Sequence, residues 1–470
     1  MASWIGRLDY NYNDKYILGA TVRRDGSYKF APAKRWGNFP AASAAWIVSK
    51  EGFFDPIKSV VSSAKLRASF GVTGTDNTAA WQWQYTYAGG SQSTLGSTTF
   101  STLTPSVIPN PNITWETNTN YNIGFDFGFL NNKLTFSPEI WYNKTSNILG
   151  TRTATTPLVV GANLPAVNYG IASAQGIEFT ANYNTKIGEF NLSAGGNLAW
   201  SSNKVLQEDV ALGTRAMDNP VDKPMDIVRV WGINVDRTGN GVVRTEAEAE
   251  RIMAENAVGA TRYTETGGQV QPGMVFATDV RGSNGTIFAN SPDGNVNQNT
   301  NDDKIILKHR YNSPRMVFGI NANLKWRGFE FNMIAAGTGA FWRAWDRGTT
   351  SNFSEFTDFW PNAWTASNIN AGPSPLYALG GSWPGGGTDK PSVLNTFNMS
   401  FMRMKNMSLG YRIPSPLLQK LGIQGLKVYA NIENPFMIYK LCPQVMDPES
   451  TEGLAYPILK NYSIGVNITL

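Results

Sequence analysis

The amino-acid sequence predicts an all-β protein: the wall of an antiparallel transmembrane β-barrel, to which this chain contributes about thirteen strands. Three observations support this prediction. Segments of roughly 9–11 residues alternate apolar and polar side chains, short and long connections alternate along the chain, and the polar side of the strands carries little charge. The chain has no run of roughly 18 apolar residues, the length that a membrane helix needs.

The apolar–polar alternation is clearest at the carboxyl end of the chain. From 462 to 470, Tyr, Ile, Val, Ile and Leu alternate with Ser, Gly, Asn and Thr. Because successive side chains of a β-strand point to opposite faces, each such segment has one apolar and one polar face. The predicted strands are 4–12, 15–24, 38–48, 64–73, 118–129, 132–143, 175–184, 188–200, 314–326, 328–337, 402–413, 425–434 and 461–470.

The connections between these strands are alternately short and long. Asn13-Asp14, Asn131-Asn132 and Arg327-Gly328 are short connections whose residue types suit tight turns. Outer-membrane barrels have tight turns on the periplasmic side and long loops outside the cell. A soluble sandwich or propeller is not expected to have all of its long loops at one end. The long connections are 25–37, 74–117, 144–174, 201–313, 338–401 and 435–460.

The composition of the two strand faces also favours a membrane barrel. A soluble sandwich would carry Lys, Glu and Arg outward, but here the polar face is rich in Ser, Gly, Asn and Thr. We therefore expect the apolar face to meet lipid and the polar face to line a wet lumen or contact a plug. Aromatic residues near strand ends suit interfacial girdles, with ordinary core aromatics as the alternative. The girdle candidates are Trp4, Tyr16, Trp46, Tyr142, Trp200, Trp326 and Tyr411.

The odd number of predicted strands has a consequence for domain organisation. A complete bacterial barrel has an even number of strands and both ends in the periplasm. Large plugged transporters have about 22 strands, so we expect residues 1–470 to form the C-terminal part of such a barrel, incomplete or open by itself. The first residues show no signal peptide. Helical patterning is scarce, and the best helix is 245–256, with Thr245 as N-cap and Glu248 completing a capping box.

The composition excludes several functional classes. Among the 470 residues there is one His, His309, and one Cys, Cys442. An internal disulfide framework, a Cys-rich metal cluster and a His-pair zinc site are thereby excluded, and a Ser-His triad is disfavoured. The net charge is +5 and the basic residues are dispersed, so we do not expect nucleic acid as a partner. We predict no catalytic residues, no cofactor and no enzyme activity.

Several sequence blocks resemble one family over nearly the whole chain. They are the run from Tyr12 to Ser27, Arg35-Trp-Gly-Asn-Phe-Pro40, Lys65-Leu-Arg-Ala-Ser-Phe-Gly-Val-Thr-Gly74, Gly176-Ile-Glu178, Ser400-Phe-Met-Arg-Met-Lys-Asn-Met-Ser-Leu-Gly-Tyr-Arg-Ile-Pro414, Asn434-Pro435, Asp447-Pro-Glu449 and Tyr456-Pro457. In residues and order these blocks resemble the barrel of SusC/RagA-type TonB-dependent outer-membrane transporters.

The resemblance implies a protein of the outer membrane of Bacteroidetes-type bacteria, in contact with outer-membrane lipid. Such a protein would import an oligosaccharide or peptide together with a SusD-like surface lipoprotein. TonB and its ExbB/ExbD partners would supply energy through an N-terminal region. The family's signal peptide, N-terminal domain, TonB box and plug have no counterpart in the sequence, and Leu470 stands where outer-membrane barrels usually end in an aromatic residue.

Two sets of loop aromatics are candidates for contact with substrate or partner. Trp81, Trp83, Tyr85 and Tyr87 recur at period two in the 74–117 connection, which predicts one shared face. Aromatic faces can stack on the C–H faces of sugars, while intervening Gln side chains can bind hydroxyls. Packing on neighbouring loops or on a SusD-like partner is the alternative. The second set, in the 338–401 connection, includes Trp342, Trp345, Trp360 and Trp364.

The remaining polar motifs point more weakly to a site. The acidic loop 279–303 could hold Ca²⁺, but its spacing does not fit a clean calcium loop, so no metal site is assigned. Asp447 and Glu449 could pair as glycosidase carboxylates, but adjacent loop acids are far more often turn residues. The alternative to an importer is a soluble all-β carbohydrate-binding protein or glycan hydrolase, which would predict an internal repeat; we find none.

Overall fold

The computed structural model describes residues 2–105, 108–152, 154, 164–231, 242–255, 271–273, 280–282, 287, 290–292, 304–344, 364–370, 396–414, 418, 422–443, 446–450 and 458–469. These residues contain nineteen strands, numbered here in chain order, and one α-helix. Within the described ranges, no helix combines the length and apolarity needed to cross a membrane.

Thirteen strands form one antiparallel sheet, and each corresponds to a predicted strand. Their bounds are β1 Ala2–Tyr12, β2 Tyr16–Gly26, β3 Trp36–Trp46, β4 Val61–Thr75, β7 Glu116–Phe129, β8 Leu134–Thr151, β9 Ala166–Ile187, β10 Phe190–Gln207, β13 Met316–Trp326, β14 Phe329–Gly339, β17 Phe401–Ile413, β18 Gly425–Lys440 and β19 Asn461–Thr469. The strands follow one another in the sheet in this same order. The all-β class and the thirteen strands are therefore confirmed.

Three small two-stranded sheets lie in the long connections and were not predicted. They pair β5 Tyr87–Leu95 with β6 Thr98–Pro105, β11 Ile227–Trp231 with β12 Lys304–Tyr311, and β15 Trp342–Ala344 with β16 Thr396–Asn398. The β5–β6 hairpin is rich in Ser, Thr and Gly and lacks apolar alternation, while β15 and β16 have three residues each. The alternation of apolar and polar residues, on which the strand predictions rest, is therefore absent from β5 and β6 and cannot be recognised in three-residue strands such as β15 and β16.

The predicted helix is confirmed. Helix α1 spans Glu246–Glu255. Thr245 Oγ1 accepts a hydrogen bond from the Glu248 backbone N–H at 3.2 Å, and the Glu248 carboxylate accepts one from the Arg244 N–H at 2.8 Å. This exchange satisfies two N–H groups at a helix start, as in a capping box.

The chain divides into two compact units, which are described separately. Unit 1 comprises Met1–Lys186, Leu192–Leu212 and Pro220–Met225. Unit 2 comprises Ile187–Asn191, Gly213–Asn219 and Asp226–Leu470.

The strand register of unit 1 aligns apolar side chains into rows across the sheet. One row crosses five strands through Leu8, Ala20, Ala42, Phe70 and Tyr121. The adjacent row, one residue along each strand, points to the opposite face and holds Asp9, Gly19, Ser43, Ser69 and Asn122. Because a strand has a period of two, pairing alone separates these residues onto an apolar and a polar face.

Unit 2 repeats this separation. Leu324, Phe331, Leu409, Ala430 and Ile464 form an apolar row, and Asn323, Asn332, Ser408, Asn431 and Ser463 form the adjacent polar row. Within the polar row, Asn323 contacts Asn332, and Asn332 Nδ2 donates to Ser408 Oγ at 3.1 Å.

The apolar rows are exposed rather than buried. Ile140 is 63% exposed and Ile464 is 83% exposed, and neighbours such as Leu8 and Ile123 are also exposed. Soluble monomers rarely leave extended apolar surface open to water, whereas lipid covers it at no cost. The lipid-facing prediction therefore agrees with the structure, and no second protein layer packs on these rows within the described residues.

The tight turns have the backbone conformation that their residues predicted. Arg327 and Gly328 form a two-residue turn between the paired residues Trp326 and Phe329, with φ values of 46° and 88°. Positive φ at both positions is the requirement of a type I′ hairpin, and it matches the twist of the flanking strands. Asn13 and Asp14, with φ values of 50° and 51°, turn the chain between β1 and β2.

Stacked aromatic rings mark the short-turn end of the strands in each unit. In unit 1, Tyr16 stacks on Trp46 with ring centroids 6.5 Å apart. In unit 2, Trp326 stacks on Phe190 at 5.3 Å, and Phe329 packs on Tyr411 at 4.6 Å. Aromatic belts of this kind occupy the headgroup region of a bilayer, which supports the girdle interpretation for Tyr16, Trp46, Trp326 and Tyr411.

A single carboxylate anchors the unit 1 aromatics. Glu51, in the short connection after β3, accepts hydrogen bonds from Tyr16 Oη at 2.7 Å, Trp46 Nε1 at 3.1 Å and Lys15 Nζ at 3.1 Å. These donors, Tyr16 first, lower the pKa of Glu51 below its ordinary value, because they favour the charged carboxylate.

We expect Ile140→Arg to lower the free energy of unfolding of the intact protein in lipid vesicles by about 2–4 kcal/mol, because the cation would sit near the bilayer midplane. Ile140 lies on the apolar face of β8, and Asn143 lies on the polar face of the same strand. The matched control Asn143→Arg should cost much less in urea titrations. Equal losses for the two variants would contradict the assignment of the faces.

A pH dependence follows from Glu51. Because its pKa is lowered in the folded protein, its stabilising effect is present above the ordinary carboxyl range and is lost as the pH falls through the lowered value. The protection factors of the amides in the turn around Lys50 and Glu51, which correct for the slower intrinsic exchange in acid, should therefore fall on acidification. Glu51→Gln should lower these protection factors at neutral pH and remove their acid-dependent change. A variant that kept the wild-type profile would show that Glu51 is not the group responsible.

Candidate functional site

The polar face of unit 1 carries a charged cluster that the sequence analysis did not predict. Arg67 on β4 contacts Glu139 on β8 at 2.5 Å and Asp126 on β7 at 3.4 Å. Asn122 also donates to Glu139. The Arg67 guanidinium lies against Gly124. A Cβ at position 124 would come within 2.5 Å of Arg67 Cζ, so only a glycine lets the guanidinium lie this close to the β7 backbone. The expectation of a face poor in charge was therefore incomplete.

Unit 2 has a cluster of the opposite composition. Glu330 on β14 contacts Lys427 on β18 and lies 3.8 Å from Lys325 and 3.7 Å from Arg412. In each unit a central charge is surrounded by opposite charges from neighbouring strands. The sequence signal was available, because these residues all occupy the polar phase of their strands, but only the register shows which of them meet.

A third cluster holds the long connection between β18 and β19 against β17. Arg403, 6% exposed, contacts Asp447 through Nη2 at 2.7 and 2.5 Å and Glu449 through Nε at 2.5 Å. Lys405 contacts the same Glu449 carboxylate. This cluster fixes residues 446–450 to the strand, since each carboxylate is neutralised by a base that β17 positions.

These contacts distinguish between the two roles considered for Asp447 and Glu449, glycosidase catalysis and turn formation. Glycosidase carboxylates must face each other across a substrate bond, with one of them protonated. Here both carboxylates contact basic groups, and Asp447 Oδ1 accepts the Glu449 backbone N–H at 3.0 Å. The arrangement supports the turn role over glycoside chemistry.

A buried apolar cluster supports the same connection. Cys442 and Met446 pack with Phe341 and Met399, all at most 5% exposed. Cys442 is a free thiol. Burial raises the pKa of Cys442, so the thiol stays protonated at neutral pH and is poorly nucleophilic.

At the long-loop end of unit 1, a second apolar cluster fixes the loops around β3. Phe30, Phe39, Ile113 and Trp115 are buried together, and Trp115 Nε1 donates to the Arg35 carbonyl at 3.0 Å. Next to this cluster, Ser27 Oγ donates to Asp76 Oδ2 at 2.6 Å, and Lys29 Nζ donates to the Asp76 carbonyl at 2.9 Å. The connection between β2 and β3 is thereby joined to the start of the connection after β4.

The first aromatic set does not form the single strand face that was expected. Residues 81–84 form a turn, with Trp81 at φ 69° and the Gln84 N–H donating to the Trp81 carbonyl at 3.2 Å. Only Tyr87 lies in a strand, at the start of β5. A turn breaks the two-residue period, so the shared-face expectation was wrong for Trp81, Trp83, Tyr85 and Tyr87.

The turn creates a different aromatic arrangement. Trp81 lies 6.1 Å from Tyr28 and 6.3 Å from Trp83, measured between ring centroids. Tyr28 and Trp81 are about half exposed, at 55% and 48%, and Tyr85 and Tyr87 are exposed as well. We call Tyr28, Trp81 and Trp83 the aromatic cluster. Tyr28 was missed from sequence because it comes from a different connection.

The second aromatic set is only partly described. Trp342 lies on β15 under the Arg310 guanidinium, whose Cζ is 4.3 Å from the ring centroid. Trp364 is half-buried and donates through Nε1 to the Arg244 carbonyl at 3.1 Å, next to the start of α1. Trp345 and Trp360 lie outside the described residues. The two described rings therefore serve local packing in different places and form no common surface.

The acidic loop gives no site in the described part of the chain. Asp279, Asp293, Asp302 and Asp303 lie outside the described residues. Among the residues that are described, no group of three or more His, Cys, Asp or Glu could hold a metal ion.

We expect Arg403→Met to weaken the attachment of residues 446–450 by about 1–3 kcal/mol, because two carboxylates lose a buried partner. The readout is hydrogen exchange of the Glu449 amide, which Asp447 protects. Arg412→Met is the matched control, since Arg412 lies on the same strand, is 66% exposed and is 3.7 Å from its nearest carboxylate. An unchanged exchange rate of the Glu449 amide in Arg403→Met would show that Arg403 does not hold residues 446–450 against β17.

Comparison with known proteins places this architecture in a family. A family model described as "TonB dependent receptor-like, beta-barrel" matches residues 3–286, more than half of the chain. The TonB-dependent receptor SusC of Bacteroides thetaiotaomicron is 28% identical over 100% of this chain and 43% of its own length. The TonB-dependent receptor P3 of Formosa agariphila is 24% identical over 100% of this chain and 45% of its own length.

A solved structure agrees in fold. The RagAB peptide importer in its open-open state superposes with a TM-score of 0.74 at 18% identity, covering 100% of this chain and 46% of that chain. The chain thus spans less than half the length of the relatives that it matches. Its two-faced sheet, its order of connections and the family match lead to one assignment: the chain is an outer-membrane protein that belongs to the TonB-dependent receptor β-barrel family and is of the SusC/RagA type.

Proposed function

We propose that this chain forms wall and extracellular loops of a TonB-dependent importer for a hydrophilic nutrient, an oligosaccharide or a peptide. The observation that carries the proposal is the two-faced sheet. Its apolar rows suit lipid, while its polar rows present Asn, Ser and paired charges to whatever passes along them. A hydrophilic solute can replace its hydrogen bonds to water with hydrogen bonds to these side chains. An apolar wall offers no such partners.

Family membership supports the energetic part of this proposal. TonB and its ExbB/ExbD partners would drive transport by acting on a plug and a TonB box outside the thirteen-strand sheet.

A SusD-like surface lipoprotein is the proposed partner at the long-loop end. The likeness to SusC and to the RagAB importer supports this partner. Exposed aromatic residues at the same end of unit 1 offer a surface for it or for the substrate. The soluble carbohydrate-binding alternative is disfavoured by the exposed apolar rows, which would aggregate in water.

Within this function, the aromatic cluster is proposed to contact substrate or the lipoprotein partner. Trp81 is held at positive φ while its ring stays half exposed. Such a backbone conformation is costly for a bulky residue and is most often retained where the displayed group is used. The neighbouring buried cluster of Phe30 and Trp115 supports the loops that carry the aromatic cluster.

The overall proposal is tested by deleting the complete gene and measuring uptake of defined oligosaccharide and peptide mixtures by intact cells. Loss of uptake of one class, restored by the gene and abolished by a protonophore, is the expected result. Unchanged uptake of both classes would reject the import function.

We expect Trp81→Ala to weaken capture of the imported nutrient about 5–10-fold, since stacking on one aromatic ring contributes roughly 1 kcal/mol or more. Stability should change little, because Trp81 is already half exposed. Leu95→Ala in β5, 75% exposed, is the matched control and should leave capture unchanged. The concentration for half-maximal uptake by cells is the measurement. Equal values for Trp81→Ala and wild type would remove the aromatic cluster from the capture surface.

A further inference from the structure

A cavity of about 440 Å³ lies in unit 1, where the long-loop ends of β8, β9 and β10 meet the segment at Met225. It is separate from the aromatic cluster. Apolar side chains make most of its wall, namely Ile148, Ile171, Val205 and Met225. A volume of this size is within the range of small-molecule binding sites, roughly 300–1,000 Å³.

One charged pair closes part of the cavity. The Arg152 guanidinium lies over the Tyr169 ring, with its Cζ 4.5 Å from the centroid. Its Nε is 3.4 Å from Asp209 Oδ1, and Asp209 Oδ2 accepts the Ala154 N–H at 2.9 Å. The charges of Arg152 and Asp209 therefore offset each other, and one face of the Tyr169 ring is already covered.

A second carboxylate in the same wall is left without an ionic partner. Glu208 lines the cavity next to Asp209, is exposed to solvent at its rim, and forms no ion pair among the residues that the structure describes. The basic residue of the neighbouring stretch, Lys204, is bound to Asp222 at 2.8 Å. Among the described residues that line the cavity, Glu208 therefore presents a carboxylate beside an apolar wall.

These features select the chemistry of the occupant. Arg152 covers one face of the Tyr169 ring, which reduces the aromatic surface on which a neutral sugar could stack. A cation on an apolar stem, by contrast, would pair with the carboxylate and bury its methylene groups against the isoleucines. A lysine side chain within a short peptide has this form.

We propose that this cavity is a subsite for a cationic, partly apolar group of an imported oligopeptide, with Glu208 as the residue that selects the charge. The proposal rests on the import function above and narrows its substrate class. Glu208 would accept the ammonium group, while Ile148 and Ile171 would contact the side-chain stem.

The test uses the complete receptor, purified from outer membranes, in titration calorimetry with three probes: the tripeptides Leu-Lys-Leu and Leu-Glu-Leu, and maltotriose. Leu-Lys-Leu should bind about two- to five-fold more tightly than Leu-Glu-Leu, the effect of one solvent-exposed ion pair. Glu208→Gln should remove that preference. Glu250→Gln is the matched control, because Glu250 is an exposed carboxylate on α1 and is not among the residues that line the cavity.

The possible results separate this subsite from the import function. Equal binding of the two tripeptides, binding of maltotriose alone, or a preference that survives in Glu208→Gln would each overturn the subsite. Absence of binding by all three probes would overturn it as well. The import function would stand in each of these cases if deletion of the gene still abolished uptake of a nutrient class, and it would fall only if deletion had no effect.

Discussion

The whole structure depends on one constraint: hydrocarbon offers no hydrogen-bond partner. Strands that meet lipid must therefore satisfy their backbone groups against one another and keep polar side chains on the other face. The register does both at once. The row from Leu324 to Ile464 is apolar across five strands, and shifting one residue along each strand gives a row of Asn and Ser. A slip of one residue in any pair would place amides in lipid, so the bilayer itself enforces the pairing.

The same constraint governs where charges are tolerated. Arg67 is surrounded by Glu139 and Asp126, and Glu330 by three basic residues, all on polar faces. Mutual pairing keeps these faces hydrophilic while each central charge is offset by its neighbours. The Arg403 cluster uses the same chemistry for another purpose, which is to attach a loop to the wall.

The long-loop end lies outside this constraint, and the proposed recognition surfaces are there. Rigid local cores carry variable surfaces there, as is usual for loops on a β scaffold. The Phe30 and Trp115 core supports the aromatic cluster, and the ends of β8, β9 and β10 enclose the Glu208 cavity. The two proposed surfaces differ in chemistry, since the aromatic cluster presents exposed rings and the cavity presents a carboxylate beside apolar side chains.

The class, the thirteen strands, their two faces and the tight turns were predictable from the sequence, because a period of two and residues such as Asn13 and Gly328 are local signals. The capping box of α1 is equally local and was predicted with Thr245 and Glu248. Which charges meet could not be predicted, since Arg67 and Glu139 are 72 residues apart and become neighbours through the register of β4, β7 and β8. The tertiary structure also turned the chain at Trp81, placing Tyr28 from another connection beside it, because contacts between loops depend on the scaffold that brings them together and leave no period in the sequence.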